Sequence, residues 1–425
     1  MKLVCGPKPF EFDQFESDLD VVLFAQSDSK SIACAGQSVA REIRKRKLNP
    51  LPKAWDFLSI ALSCVCADMA GHRKQSPDGW TREFDLVIAV SDPEFWTTQK
   101  ETLQTALNFL TTDRWSITFE HGGYYPTPAK HGRVLNGDCI SLLSGGMDSL
   151  IGLIDQVAEK RNPLTVSQTV RGDKENQITF PKLIGEELTS LVMGHAARVP
   201  NGETPASQRS RSIVFLAYGA LIASCTGSSS LNRPIDFFVS ENGFISLNPP
   251  LTPMRLGSLS TRTTHPSYLS RIQSIFDFAD LGLKIQNNYS FKTKGEMLKE
   301  CSDQTLLKKL AHESTSCGRY LTFNYTHCGR CLPCLVRRAA FFKWGVTDKT
   351  EYIFSNIGKK DSDHAGFDDV RAVAMATLEV KEAGIERWMG ANLASSSVVD
   401  QQPYLDLVER GLKELEDFLQ DCGVK

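Results

Sequence analysis

The segment Ser144-Gly145-Gly146-Met147-Asp148-Ser149 constrains this chain more than any other. A short apolar run, Cys139-Ile140-Ser141-Leu142-Leu143, ends just before it. After it, Leu150, Leu153, Ile154 and Val157 recur at i, i+3, i+4 and i+7, the spacing of one helix face. The order is strand, glycine turn, helix. Paired glycines let the backbone turn tightly and come close to a ligand, because no Cβ stands in the way. The free N–H groups and positive dipole end of the following helix then form an anion site. Ser144 and Ser149 add hydroxyl donors, and Asp148 is placed to hold a magnesium ion or to orient a bound phosphate. The plain alternative is a polar turn that caps a helix, and the strand before the turn disfavours it.

The rest of the chain bounds what such a loop can serve. A length of 425 residues is enough for two or three domains. The formal net charge of −2 supplies no global basic field, so direct binding to nucleic acid or to an anionic membrane is not expected. Met1 to Pro7 lacks the apolar stretch of a signal peptide. The longest largely apolar run, Ile213 to Cys225, is thirteen residues, too short to span a bilayer and suited to a buried helix. Twelve cysteines are spread unevenly along the chain. Without a secretory signal they read as reduced thiols in a cytoplasmic protein, apart from one metal site.

Three regions are expected. Residues 1–135 read as an α+β accessory domain, with helices over Trp55 to Met69 and Thr98 to Leu110 and strands at Asp85 to Val90 and Trp115 to Glu120. Cys64 and Cys66 fall inside the first helix, where neighbouring positions point apart, so they read as structural thiols. The basic run Arg41, Arg44, Lys45, Arg46 and Lys47 reads as a solvated helix end, with no aromatic residue nearby in sequence to suggest more. Residues 136–345 alternate strand and helix: the glycine loop and its helix, then Thr165 to Val170, the Ile213 helix, and Ile235 to Ser240. That alternation implies α/β architecture with an open parallel sheet, whose ligands sit beyond the carboxyl ends of the strands. Residues 346–425 read as helical. Leu405, Leu407, Val408, Leu412, Leu415 and Leu419 form a packing stripe near the end.

Cys328-Gly329-Arg330-Cys331-Leu332-Pro333-Cys334 sets three thiols at x₂ spacings, and Cys317 precedes them with ten residues between. Four thiolates in a closed tetrahedron describe a structural zinc site, whose binding energy acts as folding energy. Spacing alone leaves His327 and Cys301 open as the fourth ligand. An iron–sulfur cluster is the competing metal centre, because C-x₂-C-x₂-C also serves that purpose. Brown colour in the purified protein would decide for the cluster.

The loop resembles the S-G-G-x-D-S signature of the PP-loop ATP pyrophosphatases, and no G-x-x-x-x-G-K-[ST] string is present. Combined with a C-G-x-C-x-x-C knot about 180 residues further on, it resembles the 7-cyano-7-deazaguanine synthase (QueC) family. The likeness covers the central region, about half of the chain. Three weaker matches accompany it: Ser210-Arg211-Ser212-Ile213-Val214-Phe215-Leu216 beside the family's G-R-N-x-x-F-L, Glu241-Asn242 where the family has an acidic residue near its substrate, and Lys294-Gly295-Glu296 beside its K-x-E. The family's Y-G-Q-R-H string has no counterpart; Gln168-Thr169-Val170-Arg171-Gly172 stands there. The additional regions at both ends make the layout similar to the QueC-like components of the Qat anti-phage defence system.

The resemblance implies an adenine nucleotide alpha hydrolase-like (HUP-like) sheet, with ATP, Mg²⁺ and Zn²⁺ as cofactors. It also implies a deazaguanine-type acid as substrate and partner proteins from a defence operon. Ser144, Gly145, Gly146, Met147, Asp148 and Ser149 would bind the pyrophosphate portion of ATP, and Asp148, Arg211 and Lys294 would act in catalysis. Cys317, Cys328, Cys331 and Cys334 would hold the metal. A substrate carboxylate would be adenylated with release of pyrophosphate, then amidated. Two other readings stay open: a PP-loop tRNA-modifying enzyme of the thiolase type, and a non-catalytic nucleotide-binding subunit of a defence complex.

Overall fold

Two five-stranded sheets, parallel throughout, organise the described residues. The computed structural model describes the chain except residues 28, 170–171, 186, 204–206, 208, 228–232, 253–261, 359–368, 395–399 and 425. The first sheet contains β1 (Lys2–Pro7), β2 (Leu19–Leu23), β3 (Ala33–Ala35), β4 (Glu83–Val90) and β5 (Arg114–His121), in the order β3-β2-β1-β4-β5. The second contains β6 (Cys139–Leu142), β7 (Pro163–Gln168), β8 (Ser190–Met193), β9 (Ile235–Phe238) and β10 (Leu283–Gln286), in the order β10-β9-β6-β7-β8. Taken from the opposite edge, the second order repeats the first. In both sheets the winding reverses between the first strand and the fourth.

The parallel first sheet corrects the α+β expectation for residues 1–135: this region is α/β. Sequence patterning shows β4 and β5 but passes over β1, β2 and β3. Strands covered on both faces lose the apolar/polar alternation that marks a strand, and β1 and β3 are buried along nearly their whole length. β5 lies at the sheet edge and alternates exposed and buried positions from Arg114 to Phe119. The expected strand at Thr165 begins two residues earlier, as β7; Val170 lies outside the described residues.

The helices, in chain order, are α1 (Gln37–Lys45), α2 (Pro52–Ala70), α3 (Pro93–Thr98), α4 (Lys100–Thr111), α5 (Met147–Ala158), α6 (Lys174–Ile184), α7 (Arg211–Ala223), α8 (Gly243–Ser246), α9 (Pro266–Phe278), α10 (Lys294–Glu300), α11 (Gln304–Leu310), α12 (Leu332–Trp344), α13 (Asp369–Ala383), α14 (Ile385–Ala394) and α15 (Gln402–Asp421). α2 is buried around its circumference, Cys64 and Cys66 included, as expected of a helix covered on all sides. It packs against α7, and one continuous apolar core joins the residues of both sheets. The segment after β8 also pairs with the β3 edge: the Cys34 N–H donates to the Arg198 carbonyl (3.0 Å), and the Arg198 N–H donates back (2.9 Å). α8 and α12 to α15 share a second core, in which the expected stripe of α15 is buried. No helix among the described residues is long and apolar enough to cross a membrane.

The basic run ends α1, where Arg46 pairs with Glu42 at 2.6 Å. Folding gives it the aromatic neighbours that its sequence surroundings lack. Arg44 and Lys47 line a cavity of about 160 Å³ with Trp55, Tyr124 and Tyr125.

A buried ionic network ties the two sheets together. The Arg82 guanidinium lies 2.6 Å from both Asp68 and Asp113 and is 3% exposed. The other oxygen of Asp68 accepts from the Ser210 N–H and hydroxyl, both at 3.0 Å, just ahead of α7. Burial, the largest influence, would raise the Asp68 pKa, but the Arg82 charge and the hydrogen bonds the carboxylate accepts together outweigh it and hold the carboxyl below its usual range. The contribution of a carboxylate lowered in this way is present above about pH 4 and is lost as pH falls through the folded-state value. Replacing Arg82 with Met leaves two buried carboxylates under-compensated, so thermal and denaturant unfolding should show a loss of about 3–5 kcal/mol at neutral pH. Wild-type stability in that variant would exclude a structural role for the network.

Candidate functional site

β6 and β9 are neighbours in the sheet although far apart in the chain, so the loops that leave them diverge and open a crevice. The β6 loop is Ser144-Gly145-Gly146; the β9 loop is Ser240-Glu241-Asn242. Between them lies a cavity of about 230 Å³ lined by Ser144, Gly146, Asp148, Ser149, Glu241, Lys294 and Thr315, among others. The carboxyl end of the first sheet is built differently. There the Phe10 ring packs against Gly6 at the end of β1 and Gly122 just past β5, within 2.7 and 3.0 Å of where a Cβ would stand.

The glycine loop is braced from within. Ser144 Oγ lies 3.0 Å from Ser149 Oγ and accepts the Gly146 N–H (3.2 Å), and the Ser149 hydroxyl donates to the Gly146 carbonyl (3.0 Å). Gly145 has φ +92°, a left-handed conformation that side chains rarely adopt, so this turn needs glycine. Its carbonyl accepts the Thr315 N–H (3.1 Å). Buried Gln177 donates to the Ser144 and Gln168 carbonyls, at 3.0 and 2.9 Å. The Met147 side chain enters the core and is 1% exposed, so toward the cavity the residue offers chiefly its backbone.

Asp148, in the first turn of α5, is 5% exposed and fully engaged. Lys294 Nζ lies 2.7 Å from one carboxylate oxygen. The other accepts from Asn242, from its backbone N–H at 3.1 Å and its side-chain amide at 2.7 Å. The same amide reaches Glu241 Oε1 at 3.2 Å, so Asn242 spans two carboxylates. Burial, the largest influence, would raise the Asp148 pKa; the Lys294 ammonium and the surrounding hydrogen bonds together outweigh it and bring the carboxyl down to about 2. Lys294 occupies one side of the Asp148 carboxylate, a group that the sequence offers either to a magnesium ion or to a bound phosphate. The crevice thus collects hydroxyls, helix-start N–H groups and one ammonium with two carboxylates, a set suited to a polyanion accompanied by a cation.

Lys294 begins α10, whose start is a capping box: Thr293 Oγ1 accepts the Glu296 N–H (3.1 Å) and Glu296 accepts the Thr293 N–H (2.8 Å). Arg211 is placed differently. It does not line the cavity; its Nε contacts Gln168 Oε1 at 3.4 Å. Burial lowers its pKa, with partial compensation from Asp173. The Asp173 carbonyl lies 3.2 Å from where a Gly145 Cβ would stand. Arg211 therefore acts on residues that neighbour the loop, Gln168 and Asp173. Arg171, in the segment that replaces the family's Y-G-Q-R-H, lies outside the described residues.

Four sulfurs at about 2.3 Å from one ion stand about 3.8 Å apart. Cys317 and Cys331 sulfurs are 3.8 Å apart, Cys328 and Cys334 sulfurs 4.0 Å, and all four lie within 4.8 Å of one another. This spacing could hold a single zinc ion and is too tight for a multi-iron cluster. Backbone N–H groups of Arg319, Cys328 and Cys331 donate to these sulfurs at 3.3 Å. The geometry selects Cys317 as the fourth ligand: His327 Nε2 instead accepts the Ser316 N–H (3.1 Å), and Cys301 is buried in a separate apolar cluster.

The knot also reaches the crevice. Ser314 to Cys317 run from α11 into the thiol cluster, and Thr315 is the residue that bonds Gly145. Fully buried Arg337 fastens this stretch, donating to the Ser314 carbonyl and hydroxyl at 2.9 Å and to the Ala311 carbonyl at 2.8 Å. Thr315, Gln177 and Arg337 escape sequence reasoning, since a threonine, a glutamine and an arginine in ordinary contexts carry no motif.

Over 91 residues the chain is 34% identical to the 7-cyano-7-deazaguanine synthase of Methanocaldococcus jannaschii. That stretch is 20% of this chain and 38% of that protein, so the chain spans well under half the length of the curated relative it matches. No family model and no solved structure matches the chain. The likeness is partial, and over that stretch this chain is similar to a 7-cyano-7-deazaguanine synthase.

Proposed function

We propose that this chain is an ATP-dependent enzyme of the 7-cyano-7-deazaguanine synthase type that activates a deazaguanine carboxylate for amide formation. The observation that carries this reading is the glycine loop at the second sheet's winding reversal, with Lys294 and Asp148 paired at its mouth. A carboxylate oxygen of the acid attacks the α-phosphorus of ATP. The bond from that phosphorus to the β-bridging oxygen breaks, and pyrophosphate leaves. Attack of an amine on the acyl carbon then expels AMP and, with loss of a proton, leaves an amide. In the anti-phage setting that the layout suggests, the amine belongs to a partner protein.

The chain contributes position and charge. Ser144, Ser149 and the N–H groups opening α5 receive the leaving pyrophosphate, Lys294 offsets its growing negative charge, and Asp148 keeps Lys294 aimed. Arg211 supports the loop indirectly, through Gln168 and Asp173. Magnesium brought in with the nucleotide would add neutralising charge, and Glu241, which lines the cavity, offers it an oxygen ligand. The four-thiol site would hold zinc in a structural role and keep Thr315 against Gly145.

The test is ATP–pyrophosphate exchange by the purified chain with and without 7-carboxy-7-deazaguanine. Exchange that requires the acid is expected. ADP as the turnover product, or exchange with bulk tRNA in place of the acid, would overturn the reading.

A further inference from the structure

The C-terminal helix α15 lies far from the glycine loop in sequence, yet it touches both segments that hold Asp148. Glu414 on α15 is 7% exposed. Its carboxylate accepts the Thr293 hydroxyl at 2.5 Å and the Gly295 N–H at 3.3 Å, the two residues that flank Lys294. A Cβ on Gly295 would stand 2.7 Å from this carboxylate, so glycine is what admits it. Further along the same helix face, Leu407 lies 2.7 Å from the Cβ position of Gly243, and Gly411 leaves room for Phe244. Gly243 follows Asn242, the double donor to Asp148. Arg410 adds an ion pair to Glu296 at 2.7 Å. One helix therefore presses on the start of α10 and on the β9 loop together.

We propose that Glu414 is a positioning residue for Lys294: it grips the Thr293 hydroxyl on one side of the lysine and the Gly295 N–H on the other, and aims the ammonium at Asp148. The importance of that aim for turnover rests on the function proposed above. The grip itself does not.

The full-length chain treated with an amine-acylating reagent, followed by peptide mass spectrometry, reads the position of Lys294 directly. Wild-type Lys294, 9% exposed and paired, should react slowly. Glu414→Ala should raise its rate about tenfold, matching Asp148→Asn, while nearby Lys292 stays at its wild-type rate. Glu414→Gln keeps one acceptor and should fall between. Leu412→Ala loosens α15 without touching Glu414. If it exposes Lys294 as much as Glu414→Ala does, or if Glu414→Ala leaves Lys294 protected, the proposal fails. A wild-type chain that lacks pyrophosphate exchange but shows this labelling order would refute the proposed function and leave the positioning role standing.

Discussion

Asp148→Asn should lower acid-dependent ATP–pyrophosphate exchange by about 10²–10³-fold, the usual loss when a preorganised charge is removed from a reacting site. The substitution keeps the shape and removes the charge. Asp148 holds Lys294 at 2.7 Å and both residues are largely buried, so the neutral amide frees the ammonium to swing away or lose its proton. It also leaves a buried cation unpaired, which should reduce stability by about 3–5 kcal/mol. The double variant Asp148→Asn/Lys294→Met separates the two effects: it should recover most of the stability and none of the exchange. The Asp148 pKa is lowered to about 2 in the folded chain. Its contribution is therefore complete above about pH 4 and lost only as pH falls toward the lower value, so assays at pH 7 sample the intact pair. Wild-type exchange in Asp148→Asn would remove the pair from the mechanism.

Cys331→Ser should abolish zinc binding and lower stability by roughly 5 kcal/mol or more, because a closed thiolate site contributes its binding energy to folding. Metal analysis beside thermal unfolding tests this, and a strong chelator applied to the wild type should reproduce the loss. Exchange should fall as well, since Thr315 reaches Gly145 from the segment that the knot fastens. Cys301→Ser provides the contrast: its thiol lies in another cluster, and zinc content should be unchanged. An unaltered unfolding midpoint in zinc-free Cys331→Ser would show that the thiols do not carry structure.

Much of the crevice was legible before folding because its signals are contiguous. The strand, glycine turn and helix from Cys139 to Ala158 follow from a turn that only small residues can make and from a helical period beside it. The thiol spacing placed three ligands outright, and geometry chose Cys317 over His327 and Cys301. Lys294 and Asp148 each stood out, but their pairing is a contact across 146 positions, and nothing local encodes it. Arg211 matched a motif, yet its contact with Gln168 and the anchoring of the preceding Ser210 by Asp68 of α2 join segments far apart in the chain.

The residues alone determined the local pattern: a strand, glycine turn and helix, three thiols at metal spacing, and an amphipathic last helix. Tertiary structure decided the rest. It made the first sheet parallel, set aromatic rings beside the Arg44 cluster, and brought Glu414 to the backbone around Lys294. The division has a physical cause. Turn geometry and periodicity are properties of neighbouring residues, whereas strand order and the partners of buried charges are settled when distant segments pack and each polar group must find its counterpart.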